Sequence, residues 1–243
     1  KALLSNFSFE RLPGTRLEGQ DIAEILSVQP LLGDSVLESR LKSHKSPRIL
    51  HIATHGFFLK DIEGSMVKAK YDPTLSALPT GNSLFCILSS SGIDDLLHRS
   101  GLALAGANTW SKGEPLPDEA EDGILTAADV SGLDLVDTEL VVLSACETGL
   151  GNIKQGEGVF GLQRAFTLAG ANTVVMSLWN VPDKETRELM VDFYGRITNG
   201  QPRAEALRQA QMAMKKKYPD PLYWGAFICL GDPSPLPHYE TVN

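Results

Sequence analysis

Apolar residues fall along this chain in two rhythms. Short unbroken runs at 48–53, 140–143, 173–179 and 224–230 read as buried strands, being rich in β-branched and aromatic residues and too short for helices. Elsewhere apolar positions recur every three or four residues. That spacing predicts helices over 16–28, 33–42, 159–169, 184–198 and 202–218, with Thr15 or a neighbour capping the first. Gly170 is a natural stop for the third of these, and Pro202 sits in the first turn of the last. The small-residue segment 101–107 suits a further core strand, and 124–130 suits one or two helical turns. Strand, helix, strand, helix pair, strand is the order of a mostly parallel sheet with helices on its faces, an α/β fold.

Two polar stretches interrupt this pattern. Residues 59–100 carry Gly64, Pro73, Pro79, Gly81, Gly92 and a serine run, and 108–123 carries Glu114, Asp118, Glu119, Glu121 and Asp122. Both are expected to be irregular surface insertions in a single domain spanning 1–243. An irregular connection of that length usually has a job or moves. The acidic loop lacks the spacing of a calcium-binding hand and is read as solvated.

Composition narrows the classes. The 243 residues are 42% hydrophobic and 21% charged, an ordinary globular balance, with a formal net charge of −8. That charge, without a basic stripe, argues against nucleic acid or an anionic membrane as a partner. Lys215-Lys216-Lys217 is read as a solvated helix end. Three scattered cysteines, Cys86, Cys146 and Cys229, make no disulfide framework and fit a reducing compartment. No run reaches the ~18 apolar residues of a membrane span, and the start lacks a signal-like pattern, so a cytoplasmic setting is expected. The chain opens at Lys1 in what reads as mid-domain sequence, so it is expected to be part of something longer.

The candidate chemistry centres on 138–158. There the run Leu140–Leu143 stops at Ser144-Ala145-Cys146, and a polar loop follows with Gly149, Gly151, Gly156 and Gly158. Open α/β sheets keep reactive groups beyond the carboxyl ends of their strands. The competing reading of Cys146 is a small buried hydrophobe. Gly151 to Gly156 begins like a phosphate loop, but Glu157-Gly158 stands where Lys-Ser/Thr should follow. His51 and His55 are four apart on a strand without the glutamate of a zinc helix, and His44, His98 and His238 do not cluster, so no metal site is expected.

His55 remains, at the end of its own apolar run and followed by Gly56. Parallel neighbouring strands would bring His55 and Cys146 to one edge of the sheet, the pairing thiol nucleophilic catalysis needs. Backbone N–H groups at Gly56 and Cys146 could then serve a developing oxyanion. His51 falls on the same face, one pleat deeper, and is read as a hydrogen-bonded core residue. Cys86, in the insertion, and Cys229, mid-strand, are read as structural thiols.

These segments also carry a resemblance. LPGTRLEG (12–19), RILHIATHGFF (48–58), SGLALAGAN (100–108), DGILTAADV (122–130), ELVVLSACETGLG (139–151), GEGVFGLQRAFTLAGANTVVMSLWNVPD (156–183) and YWGAF (223–227) resemble the CHAT domain, a caspase-like clan CD module often found behind tetratricopeptide repeats in bacteria. The resemblance implies a caspase-like three-layer sandwich, here without the strands that usually precede LPGT. It implies a cysteine endopeptidase with His55 as base and Cys146 as nucleophile, no cofactor, a protein or peptide substrate, and control by an upstream repeat region. Asp183, following the strand at 173–179, is a candidate for pairing with a basic substrate side chain, against the reading that it caps the helix from Lys184. The rival from another class is a catalytically silent caspase-like scaffold that binds protein partners. An acyltransferase or thioesterase could use the same pair.

Overall fold

The computed structural model describes residues 8–58, 97–144, 146–147 and 157–237, with backbone alone at 146–147 and 157–159. The insertion expected at 59–100 therefore lies outside the described residues except for its last four, and so does Cys86.

The larger sheet has the order β1-β5-β7-β8, built from β1 (Ile49–Ile52), β5 (Leu140–Leu143), β7 (Thr173–Ser177) and β8 (Phe227–Gly231). The first three are parallel and β8 closes the far edge antiparallel to β7. Side chains alternate across a strand, so the continuous apolar runs supply two cores. Val141, Leu143, Val174 and Met176 face one way, under α4 (Ala127–Ser131) and α5 (Glu157–Leu168). Leu140, Val142 and Val175 face the other, under α1 (Pro13–Leu26), α6 (Asp183–Thr198) and α7 (Arg203–Lys217). Helices cover both faces of a mostly parallel sheet, giving the three layers expected for a caspase-like fold.

The helices follow the apolar spacing. On α6, Leu189, Met190, Phe193, Tyr194 and Ile197 are all buried against the sheet. Each such side chain contributes ~1.5–3 kcal/mol of burial free energy. Lys215, Lys216 and Lys217 end α7, where cations complement the carbonyl end of the helix. Gly170 stops α5 with φ +109°, and a side chain there would meet the backbone of Val136. Pro202 precedes α7 as its cap residue rather than lying inside the first turn.

The main departure from the sequence reading is a second sheet. Its order is β4-β3-β2-β6, from β2 (His55–Phe58), β3 (Ser100–Ala103), β4 (Ile124–Thr126) and β6 (Cys146–Glu147). The segment 124–130 is half strand and half helix, because Ile124–Thr126 pairs antiparallel with β3 before Thr126 caps α4. His55 and Cys146 each begin a strand of this second sheet. The acidic segment opens in the short helix α3 (Ala107–Ser111) and includes a 3-10 turn at Asp118–Ala120. The helix expected over 33–42 divides into a 3-10 turn, Gly33–Ser35, and α2 (Glu38–Ser43).

Candidate active site

Two chain crossings between the sheets build the site. β1 and β5 run parallel in the larger sheet with Ile52 opposite Leu143. Both chains then advance three residues and pair again as β2 and β6, with His55 opposite Cys146 and Gly56 opposite Glu147. At the crossing, the Ser144 N–H donates to the Ile52 carbonyl (3.0 Å), which keeps the two chains together between sheets. The Thr54 hydroxyl donates to the Ala103 carbonyl and ties the crossing to β3. Neighbouring strands lie ~4.8 Å apart, so the backbones of His55 and Cys146 are immediate neighbours.

His55 is held from the amino-terminal side. Its Nε2–H donates to the Glu10 carbonyl at 2.5 Å. A carbonyl can only accept, so the proton belongs on Nε2, and a neutral ring would keep its lone pair on Nδ1. Nδ1 is buried and has no hydrogen-bond partner among the described residues. Phe9 packs against the imidazole (ring centroids 5.7 Å) and against Phe57 (6.2 Å). The strap carrying Phe9 and Glu10 is itself clamped. The Phe9 N–H donates to Asn108 Oδ1 (2.8 Å) and the Asn108 amide donates back to the Phe9 carbonyl (2.7 Å). Sequence reasoning missed Phe9, Glu10 and Asn108. Glu10 acts through its backbone, which leaves no mark on side-chain type, and the only available signal was Asn108 closing the GAN triplet.

His51 sits apart from this site. Its Nδ1 is hydrogen-bonded to the Tyr194 hydroxyl (3.1 Å), and Nε2 lies 3.1 Å from the Glu18 carboxylate, off the line of a good hydrogen bond. It is the core histidine expected. Strand alternation predicts that it shares a face with His55, but it does not, because the two belong to different sheets.

Asp183 does not cap the helix it begins. That helix has Pro182 at its cap position with no side-chain hydrogen bond, and the Asp183 carboxylate instead accepts from the Gly14 N–H (3.0 Å) in the first turn of α1. Asp183 thus supplies the acceptor that Leu12, the residue at the cap of α1, lacks. Thr15 does not cap α1 either; its hydroxyl donates to the Leu12 carbonyl. Cys229 lies in β8, where burial pushes its thiol above the ordinary range. Among the described residues no group of three or more His, Cys, Asp or Glu is arranged to hold a metal ion, and no helix is long and apolar enough to cross a membrane.

Comparison with known proteins agrees with this architecture. Tetratricopeptide repeat protein 28 from human is 28% identical over 235 residues, and its mouse counterpart is 27% identical over the same length. Each match covers 95% of this chain but 9% of the relative, so the chain spans a small part of the curated proteins it resembles. These relatives are mammalian, which does not bear out the expected bacterial setting. The profile of the CHAT domain matches residues 1–232, and the chain therefore belongs to the CHAT domain family.

Proposed function

We propose that this domain is a cysteine endopeptidase in which Cys146 attacks a peptide carbonyl and His55 is its acid–base partner. The observation that carries the reading is the pairing of His55 with Cys146 across β2 and β6, combined with the state of the imidazole. A carbonyl fixes Nε2 as the donor, and Nδ1 is buried without a hydrogen-bond partner among the described residues. Such a ring takes the thiol proton through Nδ1 and later returns it to the leaving amine. In the proposed cycle sulfur bonds to the carbonyl carbon and the C–N bond breaks as the amine gains the proton. Water then hydrolyses the thioester. Backbone N–H groups at Gly56 and Cys146 are the proposed oxyanion donors.

The substrate is a protein or peptide, and the residue before the scissile bond is left to the experiment. Asp183 remains a candidate for a basic side chain through the carboxylate oxygen that does not face Gly14. The relatives are named as tetratricopeptide repeat proteins, which supports control by an upstream repeat region as part of the proposal. The test is labelling with a cysteine-directed peptide electrophile. The dyad reading expects Cys146 to be labelled ahead of Cys86 and Cys229, with the label lost in His55→Ala. Indiscriminate labelling, or labelling indifferent to His55, favours the silent scaffold.

A further inference from the structure

His55 is held by an atom that side-chain substitution at its own residue cannot remove, the Glu10 carbonyl. What fixes that carbonyl is therefore the residue that fixes Glu10. Among the described residues, 8–12 lead into α1 without regular structure of their own. Its neighbour Phe9 is gripped at both backbone polar atoms by one side chain, Asn108 (2.8 and 2.7 Å). The Asn108 amide mimics a strand edge, offering one acceptor and one donor to one residue. This reciprocal pattern also sets the orientation of the amide, since Phe9 N–H must meet the oxygen and Phe9 carbonyl the nitrogen. Asn108 lies in turn on α3, which starts after Gly106 in a left-handed turn at φ +103°. A side chain at Gly123 would collide with the backbone of Ala105–Ala107, so the approach of α3 is fixed by a second chain segment.

We infer that Asn108 is a positioning residue for His55, acting through the Phe9–Glu10 backbone. The inference rests on the dyad reading for its catalytic meaning, not for its geometry. Freed of Asn108, the strap loses two hydrogen bonds, the Glu10 carbonyl leaves Nε2, and the Phe9 ring leaves the imidazole face. The ring is then free to turn, and Nδ1 no longer faces one direction. Misplacing a catalytic group by ~1 Å can lower rates by ~100-fold.

The experiment follows two sites by mass spectrometry in the full-length protein. One readout is hydrogen exchange at the C2 carbon of the His55 ring, which reports how tightly the ring is held. The other is the rate at which iodoacetamide alkylates Cys146. In Asn108→Leu, neutral and close in size, we expect exchange at His55 to quicken at least about threefold and alkylation of Cys146 to slow by roughly three- to tenfold. Asn108→Thr, which keeps a single hydrogen-bonding group, should fall between. It also provides the test if the leucine variant does not fold. Val130→Ala, a core truncation away from the strap, should unfold more easily yet leave His55 exchange unchanged. Unchanged exchange at His55 in a folded Asn108 variant would overturn the inference. His55→Ala separates the two ideas. If it leaves Cys146 alkylation untouched, the dyad fails, while His55 exchange still decides whether Asn108 holds the ring.

Discussion

Gly14 and Asp183 are 169 positions apart, yet the amide of one donates to the carboxylate of the other at 3.0 Å. The contact joins the first turn of α1 to the first turn of α6, and it explains why position 14 is glycine. A Cβ there would overlap the Asp183 side chain. Gly14→Ala should therefore destabilise the domain by ~2 kcal/mol, although alanine is the better helix former by ~1 kcal/mol. Asp183→Ala should cost ~1 kcal/mol for the lost cap. In the double variant the overlap with the Asp183 carboxyl group is gone, although the Cβ that alanine keeps still lies in the way. The hydrogen bond is lost only once, so the combined loss should be smaller than the sum. Urea unfolding of the four proteins measures this, and strict additivity would count against the contact.

Glu38 and Lys42 give a pH-dependent prediction. Glu38 is wholly buried at the start of α2, with its carboxylate 2.7 Å from Lys42 Nζ, which also reaches Glu121 at 2.6 Å. Burial pushes the Glu38 carboxyl above its ordinary value, against the pull of Lys42 and with added repulsion from Asp122 and Glu121. A carboxyl raised in the folded state contributes stability in acid, which is lost as pH rises through its folded value. Burial works to lower Lys42, but its hydrogen bonds to Glu121 and Glu38 outweigh that and raise it, so its charge persists across the neutral range. Lys42→Met removes the compensating cation and should cost ~3 kcal/mol at pH 7. The loss should shrink as pH falls and Glu38 takes up a proton. Glu38→Gln should be near neutral at pH 7. Melting temperatures from pH 4 to 8 would show both trends, and a pH-independent cost of Lys42→Met would be incompatible with a charged Glu38.

The elements whose signals are local were legible. Leu140–Leu143 is buried throughout because it lies between two strands under helices on both faces, which a continuous apolar run announces. The seams of α6 and α7 follow the helical period for the same reason. The second sheet was not legible. β6 has two residues and β4 three, and such strands exist through hydrogen bonds to partners remote in sequence rather than through their own composition. The neighbourhood of His55 and Cys146 followed from two similar strand ends, while the crossing that sets their register did not. Asp183 shows the limit most clearly. Its sequence position suits capping of the adjacent helix, and its hydrogen bond goes to a helix at the other end of the chain.

Arg203 should behave as a fixed anchor of the carboxyl-terminal segment. Its side chain is only 3% exposed, and its guanidinium donates to the Glu139 carbonyl (2.6 Å), the Ser234 carbonyl (2.8 Å) and the Asp232 carboxylate (2.8 Å). It thereby joins the start of α7, the approach to β5 and the chain after β8. Lysine cannot reproduce that fork, so Arg203→Lys should cost ~2 kcal/mol and Arg203→Leu ~3 kcal/mol or more. Limited proteolysis provides a local readout, because cleavage after residue 231 should accelerate in both variants before global unfolding. Equal protease resistance in wild type and Arg203→Leu would remove the anchoring role.

His51 and Glu18 supply the last test, because they join α1 to the sheet beneath it. Glu18 is 2% exposed and His51 10%, with Nε2 and the carboxylate 3.1 Å apart. On the other side the imidazole meets Tyr194 edge-on as well as through its hydroxyl. Removing one member of a buried polar pair leaves the other desolvated, while removing both leaves an apolar contact. His51→Leu and Glu18→Leu should therefore each cost ~2–3 kcal/mol, with the double variant recovering at least ~1 kcal/mol of the sum. The same variants should label at Cys146 like wild type while folded, since His51 belongs to β1 and His55 to the other sheet. Loss of Cys146 labelling in folded His51→Leu, with His55 intact, would transfer the role of base to His51 and overturn the assignment of His55.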